Sequence, residues 1–489
     1  MKLAKSLLLS SAVGLTAVAS AQAADLPFRK AAPVEYVRVC DFTGAGYFYI
    51  PGTDTCLKVG GFVRAEYAYL SPQTAYFPTL GSISPGNATA GTVVAGGTRI
   101  PSQLRDVSGF FARGRIEADA RTQTAYGTLR TFVRFEITKA NGVYQGSSTS
   151  QQSYVNGNGG AANVDKAFIQ FAGFTAGRVQ SFFDFYADNY NFEGIANSDQ
   201  STQVFAYTAT FGGGFSATIA AEDPTIRRDG IGNAEFFNPA SGSTTVADLG
   251  YGSVRIPDFV GVVRLDQAWG AAQISAAYHE VATISPTNLA QAQSRDGFAV
   301  QGGLQIKLPM LAAGDDIWLQ GAYQQGAYLY QDSARTMNSG VNSLFLGGFQ
   351  HIDHDAYAFV NPNGSLSVSL SEGFSVAGAL HHYFTPNFSD VLFGSYEEVS
   401  YGGRAKNTDW RLGGIGDASE YRIGNQFIWT PVNNLSVGIE AVYAHLDQDI
   451  AGTRGNSAQA IDARAAFNAL RVRQNPDSFE GRVRVERDF

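Results

Sequence analysis

The chain has 489 residues, among them 55 Gly, 34 Phe and 23 Tyr but only 16% charged residues, and its formal net charge is -8. An acidic balance of this kind excludes nucleic acid as a partner, and beyond the amino terminus no apolar run approaches the roughly 18 residues a spanning helix needs. If the chain crosses a membrane it crosses as strands, for which abundant aromatics and glycine-rich turns are the expected composition.

At the amino terminus Lys2 and Lys5 precede an apolar stretch from Leu7 to Ala19, and Ala21-Gln22-Ala23 forms a small-x-small cleavage site. This is the pattern of a signal peptide over residues 1–23, with export to follow. No linker and no internal repeat divides the rest, so residues 24–489 are expected to form one β-barrel domain. The two cysteines, Cys40 and Cys56, flank a segment rich in Gly and Tyr. In an exported chain they are expected to form one disulfide, since a metal site would want nearby His or further Cys.

The first strong alternation runs from Leu57 to Tyr69, with Leu57, Val59, Val63, Ala65, Tyr67 and Tyr69 on one face and Lys58, Arg64 and Glu66 on the other. Phe110 to Thr124 repeats it after a long polar connection, with Arg113, Arg115, Glu117, Asp119 and Arg121 on the polar face. A tight turn leads to Leu129–Ile137, where Arg130, Arg134 and Glu136 alternate with apolar residues. Two short strands follow, broken at Gly173, and then the acidic, aromatic stretch from Ser181 to Ser201. Later strands pair across short turns near Gly212, Gly270, Pro309 to Asp315, Thr385 to Asn387 and Pro431 to Asn434. Long loops are expected near Asp223 to Asp258, Ala282 to Arg295, Tyr328 to Gly373 and Asp447 to Ser478. The last strand, Phe479 to Phe489, sets Phe479, Val483, Val485 and Phe489 against Glu480, Arg482, Arg484, Glu486 and Asp488.

Successive strand residues face opposite ways, so these segments have one apolar and one charged face. No soluble core accepts such a charged face, whereas a barrel in a bilayer offers lipid on one side and water on the other. The expected fold is all-β: a transmembrane antiparallel β-barrel of about 16 strands with short periplasmic turns, long extracellular loops and one inward-folded loop. Closing the last strand on the first would gather Lys58, Arg64, Arg113, Arg115, Arg121, Arg130, Arg134, Arg482 and Arg484 into one basic sector, with Glu66, Glu117, Asp119 and Glu136 interleaved. Two readings of it stay open, salt bridges that keep a lumen wet and a selectivity filter. On the opposite face of the second strand Ala112, Gly114, Ala118 and Ala120 are small, which suits close approach of another subunit.

No phosphate-binding glycine loop, His-Glu-x-x-His, Gly-x-Ser-x-Gly or Cys-x-x-Cys is present, and neither an enzyme nor a cofactor is expected. His351 and His354, beside Asp353 and Asp355, read as a solvated loop ahead of a metal site. The stretch from Ser181, carrying Asp184, Asp188 and Glu193 among many rings, would be poorly soluble if exposed. Its expected place is the barrel interior.

The segments Glu35-Tyr36-Val37-Arg38-Val39-Cys40, Gly46 to Gly52 with Thr55-Cys56-Leu57, Ala167 to Arg178 followed by Ser181-Phe182-Phe183-Asp184-Phe185, Thr385-Pro386-Asn387 and the terminal Phe489 resemble the alphaproteobacterial porin family. That resemblance implies an outer-membrane homotrimer of sixteen-stranded barrels, set in lipid, through which ions and small hydrophilic solutes diffuse passively. It implies that the loop after the fifth strand, here beginning near Ser181, narrows the pore, and that Phe489 is the assembly signal. Asp184, Asp188 and Glu193 are then expected to face Arg113, Arg115, Arg130 and Arg134 across water. A barrel enzyme and a structural or adhesive surface barrel are the alternatives.

Overall fold

The computed structural model describes residues 38–40, 42–71, 107–145, 163–238, 243–249, 251–284, 292–333, 354–361, 365–402, 417–448 and 477–489, with short strand pieces between 75 and 100. The expected signal peptide and His351 lie outside the described residues.

Among the described residues sixteen strands close one antiparallel barrel. In chain order they are β1 (Thr55–Leu70), β2 (Ser108–Thr124), β3 (Gly127–Ala140), β4 (Asn163–Phe171), β5 (Phe174–Gln180), β6 (Ser201–Gly212), β7 (Phe215–Glu222) and β8 (Asp258–Gln267). They continue as β9 (Gly270–Ile284), β10 (Ala292–Lys307), β11 (Asp316–Gln325), β12 (Glu372–Thr385), β13 (Phe388–Ser400), β14 (Ala418–Val432), β15 (Leu435–Gln448) and β16 (Asp477–Asp488). Each pairs with its neighbours in sequence, and β16 closes on β1 in a register running from Phe62 opposite Asp488 to Leu70 opposite Glu480. Closure leaves no row of unpaired amides facing lipid.

The period-two pattern fixes which way each side chain points. Ile116, Phe205, Ile219 and Ile274 are 59%, 77%, 71% and 70% exposed on the outer wall, a degree of apolar exposure that only a hydrocarbon surround makes favourable. Aromatic pairs bracket this band at both ends, Tyr67 with Phe110 and Tyr421 with Tyr443 on the loop side, Phe174 with Tyr207 and Phe388 with Phe427 on the turn side. Rings at those levels sit where hydrocarbon meets water. The inner faces of β1, β2, β3 and β16 carry the charges that the sequence assigned to them.

Two features depart from the sequence expectation. The stretch from Ala282 to Arg295 is not all loop, because β9 runs on to Ile284 and β10 begins at Ala292. The long connections after β7 and β11 also combine: Ser243–Leu249, Ile231–Asn238, Ala356–Val360 and Leu366–Leu370 form a four-stranded sheet, with Ile231 opposite Ala356 in a parallel pair. Ile231, Ala356, Ala358, Leu366 and Val368 bury a small core against Val281 of β9. Val281, Ala282 and Thr283 are consequently all buried, and the alternation that would mark a strand is lost there.

At the far end of β16 the Phe489 amide donates to the Gly61 carbonyl (3.0 Å) and the Gly61 amide to the Phe489 carbonyl (3.1 Å), while the ring stays 62% exposed at the turn-side rim. Deleting Phe489 removes the last rung of closure and the interfacial ring together. The expected outcome is a marked fall in heat-modifiable barrel in outer-membrane fractions, whereas Asp488→Asn assembles at normal yield.

Candidate functional site

The segment 181–200 between β5 and β6 has no regular secondary structure and lies inside the barrel. Its apolar residues drive it there: Phe183 and Ile195 are fully buried, and Phe185 and Tyr186 nearly so. Phe185 lies against Trp318 of β11 (ring centroids 5.0 Å apart) and over Gly303 of β10, where any Cβ would collide with the ring. A tight reversal at Ala187 and Asp188, both at positive φ (49° and 48°), returns the chain toward the wall.

A buried loop must satisfy its backbone groups, and here the barrel wall does so. Gln301 Nε2 and Ser275 Oγ donate to the Phe183 carbonyl (2.8 and 2.9 Å), and Gln273 Nε2 to that of Asp184 (3.0 Å). The Tyr186 amide donates to Gln320 (3.0 Å), the Phe192 and Glu193 amides to the Glu440 carboxylate (2.6 and 2.7 Å), and the Ala196 amide to Ser395 (3.0 Å). The loop is thus strapped along β9, β10, β11, β13 and β15, and its ion anchors are Arg227, Arg422 of β14 and Arg482 of β16.

The expected acids serve this strapping. Asp184 pairs with Arg227 from the connection after β7 (2.9 Å) and accepts from the Gln200 amide (2.7 Å). Asp188 accepts from Asn191 and Asn197 (2.8 and 2.6 Å). Glu193, fully buried, pairs with Arg482 at 2.6 Å. The expected opposition of Asp184, Asp188 and Glu193 to Arg113, Arg115, Arg130 and Arg134 is therefore replaced by other partners. A carboxylate buried in a packed loop is tolerated only beside a cation or donors at hydrogen-bond distance, and these lay elsewhere. Arg482 is likewise sealed rather than presented to the lumen, with 2% exposure.

The remaining basic positions form a wall beside the loop, which covers Arg484 with Phe192. Arg113 and Arg115 share Glu136, Arg121 and Arg130 share Asp119, and Arg134 lies between Glu117 and Asp165. Arg64 pairs with Glu486 and Arg484 with Glu66. Inward rings lie against the guanidinium groups: Phe62 by Arg64 and Arg115 (4.6 and 4.4 Å), Phe132 by Arg130 and Arg134 (both 5.3 Å), and Phe192 of the loop by Arg484 (3.7 Å). With Lys58 and Lys166 the wall holds nine cations against six partner carboxylates among the described residues.

This geometry, a closed barrel lined by charge and narrowed by one infolded loop, matches known proteins. A sequence profile described as Porin subfamily covers residues 25–468. The chain belongs to the porin family. Porin Omp2b of Brucella suis biovar 1 and of Brucella abortus strain 2308 are each 32% identical over 410 residues, spanning 80% of this chain and 93% of theirs. In fold, the porin resembles the crystal structure of the outer membrane channel DcaP of Acinetobacter baumannii, with a TM-score of 0.52 at 13% identity, covering 90% of this chain and 99% of that one. This porin is an outer-membrane channel for passive diffusion.

The porin's amino-terminal segment reaches into the barrel through Tyr47. Cys40 and Cys56 form a disulfide (Cα–Cα 6.1 Å) that holds residues 42–50 at the turn-side mouth, and the Tyr47 hydroxyl donates to Asp119 inside the barrel (2.8 Å). Sequence reading passed over Tyr47, Lys166 and the inward rings, although Phe62 and Phe132 stand at inward positions of their strands. Gln273, Ser275, Gln301 and Gln320 were legible in the same way. Arg227 carried no local signal. His354 is half-buried rather than solvated: its Nδ1 lies 3.4 Å from the Asp229 carbonyl, toward which it can only donate, its backbone amide donates to the Tyr401 hydroxyl (2.9 Å), and the neighbouring Asp355 is fully buried.

Arg482→Met would remove the cation at hydrogen-bond distance from both Glu193 and Glu480, leaving Glu193 with Arg422 at 3.9 Å, at a cost to the docked loop of about 3–5 kcal/mol. The expected result is faster proteolysis within 181–200 and noisier single-channel current from a barrel that still assembles. A pH dependence is also built in. At the foot of the loop Asp199 is pushed up to about 7, by burial first and then by the charge of Asp184. The docked loop retains a proton that the free loop loses near 3.8, so docking weakens as pH rises between those values. Proteolysis of the loop should accelerate from about pH 5 to about pH 8, and Asp199→Asn should flatten that slope.

Proposed function

We propose that this porin works as a homotrimer, and that its permeation path descends between the infolded loop and the wall of Lys58, Arg64, Arg113, Arg115, Arg121, Arg130 and Arg134, favouring small hydrophilic anions over cations. The observation that carries the reading is the excess of cations on that wall, together with the internal pairing of the loop carboxylates. Acids that are already satisfied within the loop offer a passing cation little, whereas arginines shared two to a carboxylate keep a net positive field in the lumen. Water ordered in that field also disfavours apolar solutes. No bond is made or broken in this mechanism. The trimer rests on the small outward residues Ala112, Gly114, Ala118 and Ala120 of β2, which permit close approach of a second barrel in lipid.

The test is the reversal potential of single trimers in a KCl gradient. The expected sign is that of chloride preference, reversed by Arg130→Glu with Arg134→Glu. The preference should fade with salt, because the Debye length shrinks from about 10 Å at 0.1 M to about 3 Å at 1 M. A cation-preferring wild-type channel would overturn the reading. Gly114→Trp should lower trimer yield on native gels while leaving the barrel folded.

A further inference from the structure

Between the inner faces of β1 to β5 and the foot of the infolded loop lies a cleft of about 520 Å³. That is within the range of sites that hold small organic molecules, roughly 300–1,000 Å³. Its chemistry differs from the rest of the wall in two respects.

First, it contains cations with no carboxylate partner. Lys58 and Lys166 both line it, and neither has a carboxylate within ion-pair distance among the described residues; the Lys166 ammonium donates to the side-chain oxygen of Gln180 (3.2 Å). Second, it is aromatic. Phe132 and Phe168 are stacked with centroids 5.2 Å apart and an interplanar angle of 26°, Phe182 enters from the loop, and Tyr47 lines the cleft from the disulfide-held segment. Arg130 lies 5.3 Å from each of the stacked rings while donating to Asp119 and Gln170, which adds positive charge beside the rings. A water-filled diffusion path needs charge on its wall, but it has no need of several rings beside two ammonium groups that lack a carboxylate partner among the described residues.

We infer that this cleft is a saturable binding site, within the permeation path, for small carboxylates that carry a planar apolar body. Lys58 and Lys166 meet the carboxylate, and Phe132, Phe168 and Phe182 meet the ring. The site rests on the anion-favouring path proposed above and adds to it a preference among anions that net charge alone does not give.

The test uses intact trimers in planar bilayers with benzoate as the probe. Benzoate added to KCl should reduce the chloride current along a saturating curve. Acetate, with the same charge and no ring, should saturate at a concentration at least roughly threefold higher, and benzylammonium, with the ring and opposite charge, should leave the current unchanged. Lys58→Gln and Lys166→Gln should each raise the benzoate concentration for half-saturation by roughly threefold or more. Phe132→Leu should bring benzoate close to acetate. Equal, non-saturating responses to benzoate and acetate in the wild-type trimer would overturn the site without any variant, so poor assembly of one variant does not shield it. The reversal potential in plain KCl separates the two proposals. Chloride preference without benzoate saturation removes the site alone, whereas cation preference removes the pathway beneath it.

Discussion

Hydrocarbon offers no hydrogen bonds, and every backbone amide and carbonyl that meets it must find a partner within the protein. The pairing of β16 with β1 meets that demand by turning a row of hairpins into a wall without edges. Alternation does the rest. Once the wall is closed, each strand residue faces either lipid or lumen, and the outward isoleucines and inward arginines sort themselves by the same two-residue period. The charged lumen is thus a consequence of closure as much as of composition.

Inside that wall the problem is inverted. Segment 181–200 is apolar enough to leave water but still carries polar backbone, and the inner faces of β9 to β16 present glutamines, serines and carboxylates where its amides and carbonyls fall. The half of the barrel that holds the loop is therefore rich in neutral donors and acceptors. The other half, from β1 to β4, is rich in arginine held between rings and carboxylates. This division of the inner wall makes one side a socket for the loop and the other a densely charged surface.

The socket was less visible in the sequence than the charged surface. Arg113, Arg115, Arg121, Arg130 and Arg134 alternate with apolar residues along single strands, and local pattern assigned their face. The first strand, expected over Leu57–Tyr69, is found at Thr55–Leu70, and the last at Asp477–Asp488. The partners of the loop acids were not legible, because Arg227 and Arg482 come from segments 43 and 289 residues away from Asp184 and Glu193. No periodicity encodes a contact of that kind. The four-stranded sheet above β9 hid for a related reason: its packing buries both faces of residues 279–283 and erases the signal by which strands are recognised.

The Glu193–Arg482 contact also imposes an order on biogenesis. Its cation stands on the final strand of the chain, and the acid stands on a loop that the chain completes nearly three hundred residues earlier. Before the last strand docks, the loop can already meet Arg227 and Arg422, but Glu193 lacks the cation that stands at hydrogen-bond distance from it. The infolded loop therefore receives its final buried anchor in the same event that seals the cylinder.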